Sequence, residues 1–257
     1  MALRADGIAL HLSGFDLLRD IAVAVTPGKV TAVVGPNGAG KSSLLKVLTG
    51  DNPVSSGTVS LNGRPLVEWP PAQRARILGV LPQHTVLDFP FTAREVVALG
   101  RTPHDTGTAR DAEIVAAALA AVDASYLEKR YYTNMSGGEK QRVQLARVLA
   151  QIWEPSEIGE RFLLMDEPTS AFDLSHQQMC LDIVERFSAS GVGVLMVLHD
   201  LNLAARCADN LVVLSCGAIA AQGSPAEILT EALLKEVFKV DALILRHPRH
   251  GTPLVIT

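Results

Sequence analysis

The chain has 257 residues, of which 48% are hydrophobic and 19% charged, and this composition excludes an intrinsically disordered protein. Its net charge of -4 at pH 7 disfavours a protein that binds nucleic acid through bulk electrostatics. The longest strongly apolar run, 192–198, has the length of a strand, far short of the roughly 20 residues that cross a bilayer. We therefore expect a soluble, non-exported α/β domain with an inserted subdomain.

The first part of the chain carries a phosphate-binding motif. Apolar stretches predict strands over Leu3–Leu12, Ile21–Val25 and Val30–Val34. The last strand runs into Gly35-Pro36-Asn37-Gly38-Ala39-Gly40-Lys41-Ser42, and a helix-forming segment follows. The glycines allow backbone N–H groups to wrap a phosphate chain, and the helix adds its dipole. This strand, glycine-rich loop and helix indicate a P-loop, in which Lys41 reaches the phosphates and Ser42 offers a hydroxyl to Mg²⁺. A glycine-rich turn without a ligand is the less favoured alternative.

The middle of the chain changes character after Gln83. Short strands are predicted over 58–61 and 78–81, with a hairpin-type turn at Asn62-Gly63. Helical patterns then cover Thr92–Leu99 and Asp111–Val122, and we expect Asp111 to cap the second. Residues 84–135 are therefore predicted to form an all-helical insertion in the nucleotide-binding core.

Ser136-Gly137-Gly138-Glu139 opens the next predicted helix, which reaches about Trp153. A helix N-terminus with small residues is a second candidate for phosphate binding. An ordinary glycine-containing N-cap is the commoner use of such a pattern, so the motif alone leaves both interpretations open.

The apolar stretch Phe162–Asp166 predicts a strand that ends in Asp166 and Glu167. Carboxylates at the carboxyl end of such a strand are what an open α/β sheet uses to hold Mg²⁺ beside a P-loop. A turn at 170–173, a helix to about Ser190 and a buried strand over 192–198 follow. That strand ends at His199, which is a candidate for contact with a γ-phosphate, although a histidine at a strand end is more often structural.

The remaining titratable residues suggest no metal site. Cys180, Cys207 and Cys216 form no C-x-x-C pair and are expected to be reduced thiols packed as small apolar residues. Strands are predicted over 210–215 and 218–222, and two short helices extend to Phe238. His247 and His250 lie among proline and arginine near the end, which favours surface positions over heme ligation.

Taken together, these motifs resemble those of the ATP-binding subunit of an ABC transporter over essentially the whole chain. They fall in the family's order: P-loop at 35–42, Q-loop at Gln83, signature at 136–139, Walker B at 162–166, then Glu167, D-loop at 170–173 and switch histidine His199. The resemblance implies an α/β P-loop NTPase (ABC ATPase) core with an N-terminal antiparallel β subdomain and an inserted α-helical subdomain.

The resemblance also implies roles for residues. Glu167 would be the general base, His199 would hold the γ-phosphate, and Lys41 would bind phosphates. Gln83 would sense Mg²⁺, which Ser42, Gln83 and Asp166 would hold. The ATP-binding residues implied by the family motifs are Gly35, Pro36, Asn37, Gly38, Ala39, Gly40, Lys41, Ser42, Ser43, Ser136, Gly137, Gly138, Glu139 and Asp173.

The partners implied are a second copy of the chain in a head-to-tail homodimer, membrane permease subunits, and indirectly a periplasmic binding protein. The location implied is the cytoplasmic face of the bacterial inner membrane. Within the family, the closest likeness is to hemin importer ATPases, with siderophore and cobalamin importers close behind. The stretches that carry this likeness are 89–92, 149–155, 198–205 and 246–248. A DNA-repair or translation ABC protein and a P-loop kinase are the disfavoured alternatives.

Three positions depart from the family's pattern. Glu139 stands where many members have Gln, Phe172 stands where many have Leu, and the aromatic residue that stacks on adenine is not obvious. His11 or Phe15 could take the stacking role, and Phe15 could equally belong to the core. Two further aromatics, Phe89 and Phe91, follow Gln83, and we expect both to be exposed in a groove that receives the permease.

Overall fold

The structure is a computed structural model that describes residues 1–12, 14–83, 85 and 87–257. The strands are β1 (Leu3–Leu12), β2 (Phe15–Val25), β3 (Val30–Val34), β4 (Ser56–Leu61), β5 (Arg64–Pro65), β6 (Leu78–Leu81), β7 (Phe162–Asp166), β8 (Gly193–Val197), β9 (Asn210–Ser215), β10 (Ala218–Gly223), β11 (Leu243–Arg246) and β12 (Pro253–Ile256). The helices are α1 (Lys41–Thr49), α2 (Pro71–Ile77), α3 (Ala93–Ala98), α4 (Thr108–Ala121), α5 (Gly137–Gln151), α6 (Leu174–Ala189), α7 (Leu201–Cys207), α8 (Pro225–Ile228) and α9 (Glu231–Leu233), and α9 runs into a π-helical turn over Leu234–Phe238. The predicted α/β class is confirmed.

A six-stranded sheet of order β10-β9-β3-β8-β7-β6 forms the centre of the molecule. Its strands are parallel except β10, and every residue of β3, β7 and β8 is buried. Parallel strands covered on both faces require continuous apolar sequences, which these three have. Because their carboxyl ends meet at one edge, the sheet delivers the P-loop, the two carboxylates and His199 to the same place.

An antiparallel sheet of order β2-β1-β4-β5 covers one side of this core. Its apolar side chains pack with those of α1 and of the central sheet, as the cluster containing Leu3, Leu18, Leu44 and Phe162 illustrates. β2 begins at Phe15, earlier than the predicted Ile21. Three register shifts interrupt its pairing with β1, and they break the alternation by which the early part of the strand would have been recognised.

The segment after Gln83 carries α3 and α4, which pack against α5 through buried side chains such as Val97, Leu119 and Leu149. α3 begins with a reciprocal capping box between Thr92 and Glu95. His84 and Val86, at the start of the predicted insertion, lie outside the described residues.

The expectation that Asp111 caps α4 is wrong. The helix begins at Thr108, with Gly107 as its N-cap in a left-handed conformation at φ 85°. Asp111 instead accepts hydrogen bonds from Arg101 Nε at 2.8 Å and from Thr106 Oγ1 at 2.7 Å. The Arg101 side chain is almost fully buried, so its charge requires this carboxylate, and the ion pair outweighs the capping preference.

The expectation that Phe89 and Phe91 are both exposed holds for one of them. Phe89 is 67% exposed, whereas Phe91 is half-buried and packs against the main hydrophobic cluster. The Phe91 carbonyl also accepts a hydrogen bond from Tyr132 N at 2.8 Å. Phe91 is therefore a packing residue, and Phe89 alone is available to a partner.

The last part of the chain forms a two-stranded antiparallel hairpin of β11 and β12 that packs against α7. Cys180 is buried, Cys207 is half-buried and Cys216 is exposed. Burial raises the pKa of the Cys180 and Cys207 thiols to about 12, which keeps both protonated at neutral pH. Within the described part of the chain, every helix is too short or too polar to cross a membrane.

Candidate nucleotide-binding site

The loop between β3 and α1 has a backbone that its glycines make possible. Gly35, Gly38 and Gly40 adopt φ values of 153°, 77° and 102°. A Cβ atom on Gly35 would lie 2.2 Å from the Leu214 carbonyl oxygen, and one on Gly40 would lie 2.8 Å from the Leu17 carbonyl oxygen. The N-terminus of α1 has no side-chain cap among the described residues, so its first N–H groups are open to an anion.

Lys41 is the first residue of α1, and Ser42 and Ser43 follow in the same turn. Its ammonium is nearly buried and donates to the carbonyl oxygens of Gly35 at 2.8 Å and Pro36 at 3.0 Å. Burial lowers the pKa of Lys41, and the charges of Glu167 and Asp166 oppose this shift. The glycine loop therefore holds the Lys41 ammonium at the place where phosphate oxygens would bind.

Asp166 ends β7 and is 6% exposed. Its Oδ1 atom is one of the few buried side-chain oxygens in the described chain that lacks a hydrogen-bond partner. Burial raises the pKa of Asp166, while the Ser42 hydroxyl lowers it. A buried carboxylate oxygen without a partner, beside a hydroxyl, matches the all-oxygen ligand set that Mg²⁺ prefers, so these residues fit that ion.

Glu167 joins the ends of three neighbouring strands. Its N–H donates to the Val197 carbonyl of β8 at 3.1 Å, and its φ of 50° is left-handed, which is uncommon for a residue with a side chain. Its carboxylate accepts a hydrogen bond from Nε2 of Gln83, the residue that lies beyond the end of β6, at 2.7 Å. It accepts another from Nε2 of His199, which lies beyond the end of β8. Glu167 thus contacts two other predicted catalytic residues, Gln83 and His199, directly.

The predicted signature turn is a helix cap. Ser136 is the N-cap of α5; its Oγ accepts from Glu139 N at 3.3 Å, and the Glu139 carboxylate accepts from Ser136 N at 2.7 Å. The Ser136 N–H lowers the pKa of Glu139, and Arg130 adds an ion pair at 3.0 Å. No sequence motif marks Arg130, because it contacts the turn from a separate loop.

The signature turn packs against the loop that follows Glu167. A Cβ atom on Gly138 would lie 3.3 Å from the Ala171 carbonyl oxygen, and Gln141 Nε2 donates to the Pro168 carbonyl at 3.0 Å. A cavity of about 470 Å³ lies between this turn, Gln83 and Ser170. The neighbours of the signature turn are therefore different from those of Lys41.

Asp173 is the N-cap of α6, as its place in the predicted D-loop allows. Its carboxylate accepts from the His176 N–H at 2.9 Å and from Ser175 Oγ at 2.8 Å. These hydrogen bonds hold the pKa of Asp173 at about 2, so the exposed group is a carboxylate throughout the physiological range. The neighbouring Phe172, which stands where many family members have Leu, is buried in the main hydrophobic cluster.

The two candidates for adenine stacking lie at the tip of the β1–β2 hairpin. Phe15 is 71% exposed, so the alternative that it belongs to the core is wrong. His11 is also exposed, and its Nδ1 atom is hydrogen-bonded to the Asp16 carboxylate at 2.9 Å. Ser13 lies between them and outside the described residues.

The parallel sheet, the glycine loop with Lys41 and the carboxylates at the same sheet edge define a P-loop nucleotide-binding protein. The family model for the ABC transporter matches residues 18–170. The chain belongs to the ABC transporter family and is an ATPase.

Several curated relatives match almost the whole chain. It is 51% identical over 255 residues to the hemin import ATP-binding protein HmuV of Pseudomonas putida, with 99% of both chains covered. It is 48% identical over 256 residues to the HmuV protein of Gloeobacter violaceus, with 99% of this chain and 93% of the relative covered.

Solved structures share the fold at low sequence identity. One is an inward-facing metal-chelate type ABC transporter, with a TM-score of 0.80 at 24% identity and with 99% of this chain and 96% of that chain covered. Another is the ADP conformation of an ATP-binding cassette, with a TM-score of 0.78 at 24% identity and with 93% and 98% covered.

The capping box at the signature turn predicts a difference between two substitutions of Glu139. Glu139→Ala removes the acceptor for the Ser136 N–H and the partner of Arg130, so we expect it to lower the free energy of unfolding by ~0.5–2 kcal/mol. Glu139→Gln keeps an acceptor oxygen and should retain most of that stability. Urea unfolding at pH 7 measures both, with Glu185→Ala on the exposed face of α6 as the truncation control.

The stabilisation that Glu139 provides through the Ser136 N–H should depend on pH, and the direction follows from its pKa. Because the pKa of Glu139 is lower in the folded than in the unfolded chain, its stabilisation is complete above the unfolded pKa and is lost as the pH falls through the folded one. The stability difference between the wild type and Glu139→Ala should therefore narrow in acid. Equal stability of the Ala and Gln variants at pH 7 would contradict the capping role.

Proposed function

We propose that this chain is the ATP-hydrolysing subunit of a hemin importer, and that it powers uptake through a separate membrane permease. The hydrogen bonds that join Gln83, Glu167 and His199 beside the P-loop are the observation that best supports the hydrolytic role. The names of the full-length relatives support the cargo and the direction of transport.

ATP binding would begin at the N-terminus of α1. Lys41 would exchange its two carbonyl partners for phosphate oxygens, and the N–H groups of the glycine loop would surround the phosphate chain. Ser42, Asp166 and Gln83 would hold Mg²⁺, which neutralises phosphate charge when it is bound. The oxygen of Asp166 that lacks a partner supports this placement.

Hydrolysis would use Glu167 as the general base. In the structure its carboxylate is held beside the P-loop by Gln83 and His199, and from the end of β7 it could orient a water molecule and accept its proton. For this to happen, the Gln83 amide and the His199 ring must turn from Glu167 toward Mg²⁺ and the γ-phosphate. Rotation of both side chains would suffice, because both residues are exposed.

The complete site would require two copies of the chain, related head to tail. The neighbours of Lys41 are loop carbonyls and carboxylates, whereas Glu139 contacts Ser136 and Arg130, and the signature turn contacts the loop at 168–171. We infer that Ser136, Gly137, Gly138 and Glu139 of one copy close over ATP held by the other, with Asp173 at the interface.

The permease would bind the surface near Gln83. Phe89 is two-thirds exposed there and stands beside the half-buried ring of Phe91, with 6.0 Å between the ring centroids. An exposed aromatic beside a packed one suits an interface anchor. The chain would then be peripheral on the cytoplasmic face of the inner membrane, with the periplasmic binding protein acting across the permease and no nucleic-acid partner.

Glu167→Gln should retain ATP binding and lower kcat for ATP hydrolysis by ~10²–10⁴-fold. The amide keeps the shape, can accept from Gln83 and can contact His199, but it cannot take a proton from water. Steady-state ATPase assays and nucleotide-binding titrations measure the two effects separately. Glu160→Gln, the same change at an exposed position, should leave both unchanged. A Glu167→Gln enzyme with near wild-type kcat would show that another group is the base.

Mixed dimers test the head-to-tail arrangement. With Lys41→Ala on one copy and Ser136→Arg on its partner, both lesions should fall in one composite site and leave the other site complete. With both substitutions on a single copy, each site should carry one lesion. Tagged heterodimers should therefore occlude one ATP in the split arrangement and none in the other. The opposite pattern would mean that each chain binds and hydrolyses its own ATP.

Reconstitution identifies the cargo. The chain with its co-purifying permease and binding protein, in vesicles, should show ATPase stimulation and uptake with hemin, and not with a ferric siderophore or cobalamin. If the ferric siderophore alone or cobalamin alone stimulated the ATPase, that compound would be the cargo and the assignment of hemin would be wrong. In the same vesicles, Phe89→Ala should reduce uptake and leave the basal ATPase of the isolated chain unchanged, because the ring is outside the nucleotide site.

A further inference from the structure

His199 lies between the end of β8 and the helix that follows, and we expect that helix to help to position it. Its side chain is about half exposed, and α7 begins two residues later. Asp200 is the N-cap of that helix, and its carboxylate accepts from the N–H groups of Asn202 at 2.8 Å and Leu203 at 3.0 Å. Any movement of α7 would therefore move the backbone of His199.

α7 has only seven residues, too few to be stable without tertiary contacts. Ala204 and Ala205 are buried against the core, and Leu201, Leu203 and Cys207 are partly buried against the same hydrophobic cluster. The additional contact comes from the C-terminal hairpin. Asn202 Nδ2 donates to the Val255 carbonyl at 3.0 Å, and the Val255 N–H donates to Asn202 Oδ1 at 2.7 Å.

The geometry of the hairpin explains why Val255 can make both bonds. His247 N donates to the Thr252 carbonyl across the hairpin, and hydrogen-bonded and non-hydrogen-bonded pairs alternate along an antiparallel ladder. Counted from that bond, the pair Ile244–Val255 is non-hydrogen-bonded, so the N–H and C=O of Val255 point away from β11. The carboxamide of Asn202 satisfies both, as a neighbouring strand would.

The hairpin is itself anchored to the molecule. Ile244 and Val255 pack against the main hydrophobic cluster, while Leu243, Leu245 and Ile256 on its other face are exposed. One face of the hairpin thus rests on the core and its outer edge is bonded to α7. The connection runs from the core through β12 and Asn202 to the first turn of α7 and then to His199.

We propose that Asn202 is a positioning residue for ATP hydrolysis, which holds His199 in place by binding the backbone of Val255. Asn202 touches neither nucleotide nor water in this role; it fixes the start of α7 against the C-terminal hairpin. The inference rests on the proposed function only for its effect on hydrolysis, because the hydrogen bonds between Asn202 and Val255 are present in the structure whatever that function is.

The test compares Asn202→Ala with Asn52→Ala in the full-length chain. Asn52→Ala removes the same atoms from a residue whose one hydrogen bond within the described part of the chain is from its backbone N–H to the Lys46 carbonyl, near the end of α1. We expect Asn202→Ala to lower kcat about tenfold or more with KM for ATP unchanged, because a misplaced catalytic group slows the chemical step rather than binding. Asn52→Ala should match the wild type.

A spectroscopic measurement separates positioning from general destabilisation. In the nucleotide-free chain, the ring-proton NMR resonances of His199, assigned with His199→Ala, should shift in Asn202→Ala and stay in place in Asn52→Ala. A shift is expected because the ring loses its fixed contact with Glu167. An unchanged kcat, or a lower kcat with unchanged His199 resonances, would overturn the proposal.

A second variant covers the case in which Asn202→Ala does not fold. Val255→Pro removes the one N–H that bonds Asn202, and since that N–H points away from β11 the hairpin ladder is kept. It should shift the same His199 resonances, and their constancy in a folded Val255→Pro chain would also overturn the proposal. If wild-type and Glu167→Gln chains hydrolyse ATP equally, the proposed catalytic mechanism fails, and the resonances still decide the role of Asn202.

Discussion

The site depends on the hydrogen bonds that the carboxylate of Glu167 accepts from Gln83 and His199, because they connect the residues that follow three strands. β6, β7 and β8 are neighbours in one parallel sheet, and Gln83, Glu167 and His199 follow them in that order. A left-handed residue at the end of β7, with its N–H on the Val197 carbonyl, turns the side chain toward the other two. The parallel register is therefore what makes the contact possible.

The charges at this sheet edge are arranged for a polyanion and a cation together. Lys41 is nearly buried, and its ammonium donates to two carbonyl oxygens; Asp166 is nearly buried with one oxygen that no described group satisfies. Burial alone shifts the pKa of each group toward its neutral form, and the opposite charge of the other resists that shift. Phosphate oxygens at Lys41 and a divalent cation at Asp166 would each supply the missing counter-charge.

The sequence predicted the parts of this arrangement that local pattern encodes. The glycine loop, β7 with its two acids, and the strand that ends at His199 have continuous apolar runs or fixed spacings, and the structure has the loop and strands in those places. Several of the errors share one physical source, which is contact between side chains of separate elements rather than within one helix or strand. Asp111 pairs with the buried Arg101 instead of capping α4, and Phe91 packs against the core. Neither the ion pair of Arg130 with Glu139 nor the hydrogen bonds between Asn202 and Val255 can be predicted from a local spacing in the sequence.

The two helix N-termini of the site differ in a way that bears on how ATP would be shared. α1 has no side-chain cap in the described chain, so all of its first N–H groups are free for phosphate, and Lys41 adds a full charge. α5 has a complete capping box, which uses the N–H groups of Ser136 and Glu139 and leaves those of Gly137 and Gly138 without a side-chain partner. Glu139 also places a negative charge, balanced by Arg130, at this terminus. In the proposed head-to-tail arrangement, this terminus would close over phosphate that α1 of another copy already holds, and the difference between the two termini suits such a composite site.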